Sequence, residues 1–194
     1  MNILVLGSGA REHSICWAVK KSKACKKLFC SPGNAGIEKV AECKFINLKK
    51  KLHILNFCKK NSIDLVIVGP EEYLADGVSD YLQTKGIKTF GPIKKAAKLE
   101  TSKSFAKSFL LKNKILTPKY RKFTTSKKAL SYLNSLNFPI VIKADGLAAG
   151  KGVIICKNFS QAEQTIKLIM EKKKFGDAGK KIIIEEFIDG FEIS

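Results

Sequence analysis

The sequence predicts an α/β protein made of a parallel-sheet domain over residues 1–101 and a compact α+β unit over residues 102–194. In the first half, short apolar runs alternate with amphipathic segments, which is typical of parallel strands joined by helical crossovers. In the second half, the elements follow the order strand, helix, strand, strand, helix, strand, which is typical of a small α+β unit. The hydrophobic content of 45% and the charged content of 27% are ordinary for a globular protein, so we expect both parts to fold.

The chain is strongly basic, with a net charge of +19, but this charge does not favour a nucleic acid as the partner. Arg11 and Arg121 are the only arginines, and bidentate recognition of bases and phosphates favours arginine over scattered lysines. No apolar stretch approaches the roughly 20 residues of a membrane helix, and the N-terminus lacks the features of a signal peptide. We therefore expect a cytoplasmic protein with reduced cysteines, no specific nucleic-acid partner and no membrane contact.

The first half predicts a sheet whose strands end in candidate ligand loops. The predicted helices are a segment that ends near residue 22 and residues 50–60 and 73–85, and the predicted strands are residues 2–6, 28–30, 44–46, 64–68 and 88–90. Loops at Gly7, Pro32 and Gly69 each follow a strand. They should therefore line one rim of the sheet, where open α/β sheets bind their ligands.

The loop after the first strand suits a phosphorylated ligand smaller than a dinucleotide. Strand, glycine turn and helix is the phosphate-binding opening of a nucleotide-type domain, and Gly7 and Gly9 provide two of its glycines. Glu12 stands where a dinucleotide fingerprint has its third glycine, and the second predicted strand ends without an acidic residue for a ribose. A plain tight turn would need the same two glycines, so both interpretations stay open here.

The second half is organised around a glycine-rich hairpin. Its predicted helices are residues 93–99, 102–113, 126–136 and 160–170, and its predicted strands are residues 119–123, 140–142, 153–155 and 182–188. Lys143 ends one hairpin strand and Lys151 lies in the loop, beside Gly150 and Gly152. Backbone N–H groups and two ammonium groups on one loop suit a polyphosphate, whereas a flexible hairpin with solvated lysines is the alternative.

The last predicted strand ends in carboxylates that suit a nucleoside. A strand with free backbone groups and an acidic side chain, here Glu185, can pair with the edge of an adenine. An exposed carboxylate a few residues later, here Glu192, can accept hydrogen bonds from ribose hydroxyls. A solvated acidic strand end would have the same composition.

Together these blocks resemble the phosphoribosylamine–glycine ligases, also called glycinamide ribonucleotide synthetases, which are ATP-grasp enzymes of purine biosynthesis. The resemblance spans the whole chain in order, and its blocks are residues 7–13, 32–36, 69–71, 142–153, 175–179 and 185–187. The block at residues 142–153 is the one most specific to this family. The resemblance implies a Rossmann-like N-terminal domain followed by the α+β small subdomain of an incomplete ATP-grasp fold.

The resemblance also implies a reaction, in which ATP, glycine and 5-phosphoribosylamine give glycinamide ribonucleotide, ADP and phosphate through a glycyl phosphate. It implies that the ATP phosphates contact Lys103, Lys143 and Lys151. Lys151 is then the candidate catalytic residue, in a mobile loop over the phosphates that includes Gly150 and Gly152.

The remaining implied contacts come from the last strand and from the first domain. The nucleoside would be held by the side chain of Glu185, by the backbone of Glu186, Phe187 and Ile188, and by Glu192 at the ribose. The amine substrate would contact a set of residues in the strand-end loops, namely Gly9, Arg11, Glu12, Asn34, Gly69, Pro70 and Glu71.

Members of this family are considerably longer than 194 residues. We therefore expect the ligands for Mg²⁺ or Mn²⁺ and the glycine site to lie beyond Ser194, with no metal ligand set in this chain. The chain would then be a fragment, a truncated product or a partner of a separately encoded C-terminal half. Alone it should bind ATP weakly and turn over nothing measurable. Another ATP-grasp ligase or carboxylase, and a non-catalytic nucleotide-binding module, remain the alternatives.

Overall fold

The structure is a computed structural model, and it describes residues 1–148, 150–191 and 193. The chain divides into two compact units, Met1–Ala97 and Lys98–Ser194. The first contains a parallel sheet of five strands and the second an antiparallel sheet of four strands. The predicted fold class is confirmed.

The first unit is a doubly wound parallel sheet in the order β3-β2-β1-β4-β5. Its strands are β1 (Asn2–Gly7), β2 (Lys27–Pro32), β3 (Glu42–Cys43), β4 (Leu65–Val68) and β5 (Lys88–Phe90). The strand predicted at residues 44–46 is wrong. The amide of Ile46 donates to the hydroxyl of Ser31 at 3.1 Å, so a side chain replaces the backbone partner that would have extended the ladder.

Helices cover both faces of this sheet because the β1 side chains alternate in direction. The helices of the unit are α1 (Ala10–Lys20), α2 (Lys51–Lys60), α3 (Glu71–Asp76), α4 (Val78–Thr84) and α5 (Lys94–Thr101), the last of which runs into the second unit. Leu4 and Leu6 pack with α2 and α4 in one core, whereas Ile3 and Val5 pack with α1 in the other. The single helix predicted at residues 73–85 is two helices, because Gly77 has a φ of +82° and separates them.

The second unit has the predicted order of elements, with its sheet in the order β6-β9-β7-β8. Its elements are α6 (Lys103–Lys112), β6 (Tyr120–Phe123), α7 (Ser126–Leu133), β7 (Ile140–Ala144), β8 (Val153–Cys156), α8 (Phe159–Ile166) and β9 (Ile182–Glu186). A π turn (Lys167–Glu171) and a 3-10 turn (Gly176–Lys180) precede β9. Ser102 is the N-cap of α6, since its hydroxyl accepts from the amide of Phe105 at 3.3 Å.

The core of the second unit lies on one face of its sheet. Ile140 and Ile142 of β7 and Ile182 and Ile184 of β9 pack there with α7 and α8. The side-chain period of two therefore directs Lys143 and Glu185 to the opposite face. No helix in the described part of the chain is long and apolar enough to cross a membrane.

Candidate functional site

Three strand-end loops of the first unit meet at one rim of its sheet, as predicted. β1 and β4 are neighbours at the point where the strand order reverses, which is where doubly wound sheets bind ligands. The amide of Gly33 donates to the carbonyl of Gly7 at 3.1 Å, and that of Gly69 donates to the carbonyl of Leu6 at 3.1 Å. The loops after β1, β2 and β4 are therefore joined by backbone hydrogen bonds.

Glu12 is enclosed between the loops after β1 and β4. It is 4% exposed, and its carboxylate accepts from the amide of Gly9 at 2.6 Å. A methyl group added at Gly7 or at Gly69 would lie within 2.7 Å of the Glu12 side chain. The glutamate in place of the third glycine thus packs against both loops from inside.

Arg11, Asn34 and Glu71 line the outer side of the same rim. The guanidinium of Arg11 donates to the carbonyl of Gly69 at 2.8 Å and lies 3.4 Å from a carboxylate oxygen of Glu71. The Asn34 amide donates to the carbonyl of Ser8 at 2.8 Å. The structure brings together all seven residues that the sequence analysis assigned to the amine substrate: Gly9, Arg11, Glu12, Asn34, Gly69, Pro70 and Glu71.

In the second unit, Asp145 fastens the base of the hairpin to the start of α6. It is 8% exposed, and its carboxylate accepts from the amide of Ser104 at 2.6 Å and from the Ser104 hydroxyl at 2.9 Å. The amide of Lys103 donates to the carbonyl of Asp145 at 3.1 Å. A carboxylate at a helix N-terminus satisfies donors that the helix leaves free. Asp145 thereby sets the position from which the Lys103 side chain extends.

We expect Asp145→Ala to lower the free energy of unfolding by about 2 kcal/mol, because it removes a charged acceptor from the amide and the hydroxyl of Ser104, which is half-buried. Asp145→Asn should cost less, since its amide oxygen can still accept one of them. Urea unfolding, with hydrogen exchange at the first turn of α6, measures both changes. Asp177→Ala is the matched control, because Asp177 is exposed and pairs with Lys180 at the surface. Equal stabilities for Asp145→Ala and Asp177→Ala would contradict this role.

The hairpin base also rests on the turn before β9. The amide of Gly146 donates to the carbonyl of Ala178 at 3.3 Å, and a methyl group at Gly146 would lie 3.0 Å from the Cα atom of Ala178. The amide of Asp145 donates to the carbonyl of Lys181 at 3.0 Å. The blocks at residues 142–153 and 175–179 are therefore one contact surface in space.

Glu185 is the centre of an ionic cluster on the sheet face opposite the core. It is 2% exposed, and each of its carboxylate oxygens lies 2.5 Å from one ammonium nitrogen, that of Lys143 or that of Lys107. Both contacts are ion pairs between an ammonium group and a carboxylate oxygen. The register places Glu185 beside Val141, and Lys143 is two residues further along β7 on the same face.

Lys103 lies near this cluster on α6. Its ammonium donates to the carbonyl of Gly146 at 3.2 Å, at the start of the glycine-rich loop. Burial lowers the pKa of Lys103; the carboxylate of Asp145 opposes this shift and the charge of Lys143 adds to it. The lowered pKa means that burial disfavours the charged form of the Lys103 side chain.

The other predicted nucleotide residues lie at the loop and beyond β9. Gly150 and Lys151 are exposed in the turn between β7 and β8, and Gly150 has a φ of +75°. Gly152 lies close to Ala144, since an added methyl group would be 3.3 Å from the Ala144 side chain. Glu192, the predicted ribose residue, lies outside the described residues.

β9 lies between two strands, so the sheet occupies the backbone of Glu185 and part of the backbone of Glu186. Glu185 pairs with Tyr120 on one side and with Val141 on the other. The amide of Glu186 donates to the carbonyl of Lys119 at 3.0 Å, and the Glu186 side chain accepts from the amide of Lys119 at 2.7 Å. The ladder ends at Glu186, so Phe187 and Ile188 are the predicted adenine residues that lie beyond it.

Sequence reasoning assigned no role to several residues that lie in these two regions. Lys107 could have been found from its spacing, since it is four residues after Lys103 and so shares one face of α6. Asp145 lies inside the recognised block but carried no assigned role. His13 packs near Gly36, where an added methyl group would lie 2.6 Å from the imidazole. Nothing in the sequence near His13 predicts this contact.

Two sequence models of one family match the chain end to end. The model described as "Phosphoribosylglycinamide synthetase, N domain" matches residues 1–100, and that described as "Phosphoribosylglycinamide synthetase, ATP-grasp (A) domain" matches residues 101–194. A curated phosphoribosylamine–glycine ligase from Clostridium acetobutylicum is 47% identical over 194 residues, which are 100% of this chain and 47% of that protein. The chain thus spans about half the length of such relatives.

Solved structures agree with this assignment. The crystal structure of phosphoribosylamine–glycine ligase from Thermotoga maritima matches with a TM-score of 0.74 and 30% identity, over 98% of this chain and 45% of that one. The biotin carboxylase domain of a 2-oxoglutarate carboxylase from Hydrogenobacter thermophilus, in complex with MgADP, matches with a TM-score of 0.77 over 96% of this chain and 44% of that one. At 15% identity this second similarity concerns the fold alone. Since a family model covers more than half of its residues and its relatives align over its full length, the chain belongs to the phosphoribosylglycinamide synthetase family.

Proposed function

We propose that the protein carrying this chain ligates glycine to 5-phosphoribosylamine at the expense of ATP and forms glycinamide ribonucleotide, ADP and phosphate. A carboxylate oxygen of glycine attacks the γ-phosphorus of ATP and displaces ADP, which gives glycyl phosphate. The amine nitrogen of phosphoribosylamine then attacks the acyl carbon, loses a proton and displaces phosphate. In the alternative, the chain is a non-catalytic nucleotide-binding module, which would make the same contacts with ATP but catalyse no reaction.

The observation that carries the proposal is the grouping of Lys103, Lys107 and Lys143 beside a glycine-rich hairpin in the second unit. Phosphoryl transfer to a carboxylate depends on positioning and on neutralisation of charge, and ammonium groups near a loop of flexible backbone supply both. We assign Lys103, Lys143 and Lys151 to the ATP phosphates, with Lys151 as the catalytic residue. The adenine would contact the chain at Phe187 and Ile188, beyond the strand ladder.

We assign the rim of the first unit to phosphoribosylamine. A phosphate suits the loop after β1, where the strand order reverses and backbone amides precede α1. Arg11 adds an exposed guanidinium beside it, and a guanidinium recognises a phosphate through two parallel hydrogen bonds. Asn34 and Glu71 offer an amide and a carboxylate for the sugar hydroxyls.

None of the residues that we assign to ATP is proposed to bind the divalent ion that accompanies it. The described residues contain no group of three histidine, cysteine, aspartate or glutamate side chains placed to hold a metal ion.

The reaction is tested by ADP release from the protein encoded by the intact reading frame. We expect ADP formation that requires both glycine and phosphoribosylamine, together with growth of a purine auxotroph that carries the gene. ADP formation that requires bicarbonate instead of glycine would identify an ATP-grasp carboxylase. ATP binding without turnover in the presence of all substrates would identify a nucleotide-binding module.

The lowered pKa of Lys103 predicts that ATP binding takes up a proton at alkaline pH. A bound polyphosphate favours the ammonium form, so the pKa of Lys103 rises on binding and ATP affinity falls as the pH rises through the lowered value. Over the same range the free energy of unfolding should rise with pH, because Lys103 binds its proton more tightly in the unfolded chain than in the folded one. Titration calorimetry in two buffers of different ionisation enthalpy measures the uptake.

Lys103→Arg is the matched control for this proton uptake, since a guanidinium stays charged throughout the range. Its ATP affinity should depend less on alkaline pH than that of the wild type. Equal proton uptake by the wild type and by Lys103→Arg would contradict the assignment of Lys103 to the phosphates.

A further inference from the structure

Lys107 and Lys143 contact the same carboxylate, but their side chains are not equally exposed. Each ammonium nitrogen lies 2.5 Å from its own oxygen of Glu185. The Lys107 side chain is 11% exposed and that of Lys143 is 27% exposed. Lys107 is the enclosed partner and Lys143 is the one that solvent, or a ligand, can reach.

The remaining contacts of Lys107 hold it in place rather than offer it to a ligand. Its ammonium donates to the hydroxyl of Thr117 at 2.8 Å and lies 5.6 Å from the ring centroid of Tyr120. A hydroxyl acceptor and an aromatic face stabilise a buried ammonium that has lost its hydration. Lys107 is therefore anchored on one side by Thr117 and Tyr120 and on the other by Glu185.

The charges of the cluster show what Lys107 contributes. Two ammonium groups share one carboxylate, so the cluster keeps one net positive charge. Without Lys107, Glu185 and Lys143 would form a neutral pair with no uncompensated charge for an anion. Since the Glu185 carboxylate is enclosed, that pairing would be strong.

We infer that Lys107 is a positioning residue of the nucleotide site, which neutralises Glu185 from inside so that the charge of Lys143 remains available to a polyphosphate. This inference rests on the proposed function, in which Lys143 contacts the ATP phosphates. Lys107 itself does not touch the nucleotide. A purely structural Lys107 would stabilise the unit without any preference for phosphates.

The test compares Lys107→Met, the double variant Lys107→Met/Glu185→Gln and the control Lys112→Met, an exposed lysine of the same helix. Calorimetry measures the dissociation constants of ATP and of adenosine for the protein of the intact reading frame. We expect Lys107→Met to raise the dissociation constant of ATP roughly tenfold, because one favourable charge contact with the phosphates is lost. The dissociation constant of adenosine should change little. The double variant should recover most of the loss because Lys143 is then released from a carboxylate.

A second readout does not depend on the nucleotide. Acylation of Lys143 by an amine-reactive ester, followed by peptide mass spectrometry, reports how firmly its nitrogen is paired. Labelling of Lys143 should become slower in Lys107→Met and faster than wild type in the double variant. This measurement also decides the matter if Lys107→Met binds too weakly for calorimetry, and circular dichroism shows whether each variant is folded.

The outcomes separate this inference from the proposed function. Wild-type protein that binds ATP no more tightly than adenosine would overturn the polyphosphate assignment, whereas the labelling of Lys143 would still test Lys107. Equal ATP losses in Lys107→Met and in the double variant would overturn the positioning role. So would a rate of Lys143 labelling that is the same in the wild type and in Lys107→Met.

Discussion

Gly7→Ala should lower the free energy of unfolding by about 4 kcal/mol, the sum of a backbone cost and a packing cost. Gly7 has a φ of +128°, which L-residues rarely adopt. The added methyl group would also lie 2.5 Å from Cγ and 2.6 Å from Cδ of Glu12. Glu12 cannot turn away freely, because it is enclosed and its carboxylate accepts from the amide of Gly9.

Gly86→Ala is a control that has a positive φ but no packing clash. Gly86 has a φ of +78°, and no heavy atom lies within 4 Å of the methyl group that alanine would add. We expect this variant to cost about 1–2 kcal/mol, which is the penalty of the left-handed conformation alone. Urea unfolding followed by circular dichroism gives both values.

The packing cost can be isolated with a second change at Glu12. In Gly7→Ala/Glu12→Ala the side chain that collides with the methyl group is absent, so part of the lost stability should return as a coupling between the two sites. A Gly7→Ala variant that is no less stable than Gly86→Ala would show that the loop after β1 is not braced by Glu12.

Glu185→Ala should lower the free energy of unfolding by about 3–5 kcal/mol, because it leaves the enclosed ammonium of Lys107 and the partly exposed ammonium of Lys143 without a counter-ion. Lys107 would carry most of this cost, since its side chain is the less exposed of the two lysines that contact Glu185. A hydroxyl of Thr117 alone does not compensate a buried positive charge.

Glu186→Ala is the matched control for Glu185→Ala, because Glu186 is the next residue and is exposed. Its side chain accepts one backbone hydrogen bond, from Lys119, so its removal should cost about 1 kcal/mol. Thermal and urea unfolding of both variants provide the comparison. If the two variants lose similar stability, the ionic cluster around Glu185 does not hold the second unit together.

The elements of the fold were largely predictable because their signals are local. The apolar runs of β1, β4, β7 and β9 and the Ser102 cap are properties of neighbouring residues, and the structure contains each of them. The errors have local causes of a different kind. Gly77 divides one predicted helix, and the Ser31 hydroxyl takes the hydrogen bond that would have extended β3.

The sequence by itself determined the fold class, the family and the blocks of residues that form both candidate sites. The period of the hydrophobic pattern, the spacing of the glycines and the positions of the charges are all properties of the sequence. Only the tertiary structure decided which charged side chains contact one another. Lys107, Lys143 and Glu185 lie on three different elements, and the register of β7 with β9 brings two of them to one face. The strength of a charge depends on burial and on distance in space, and neither quantity can be read from separation along the sequence.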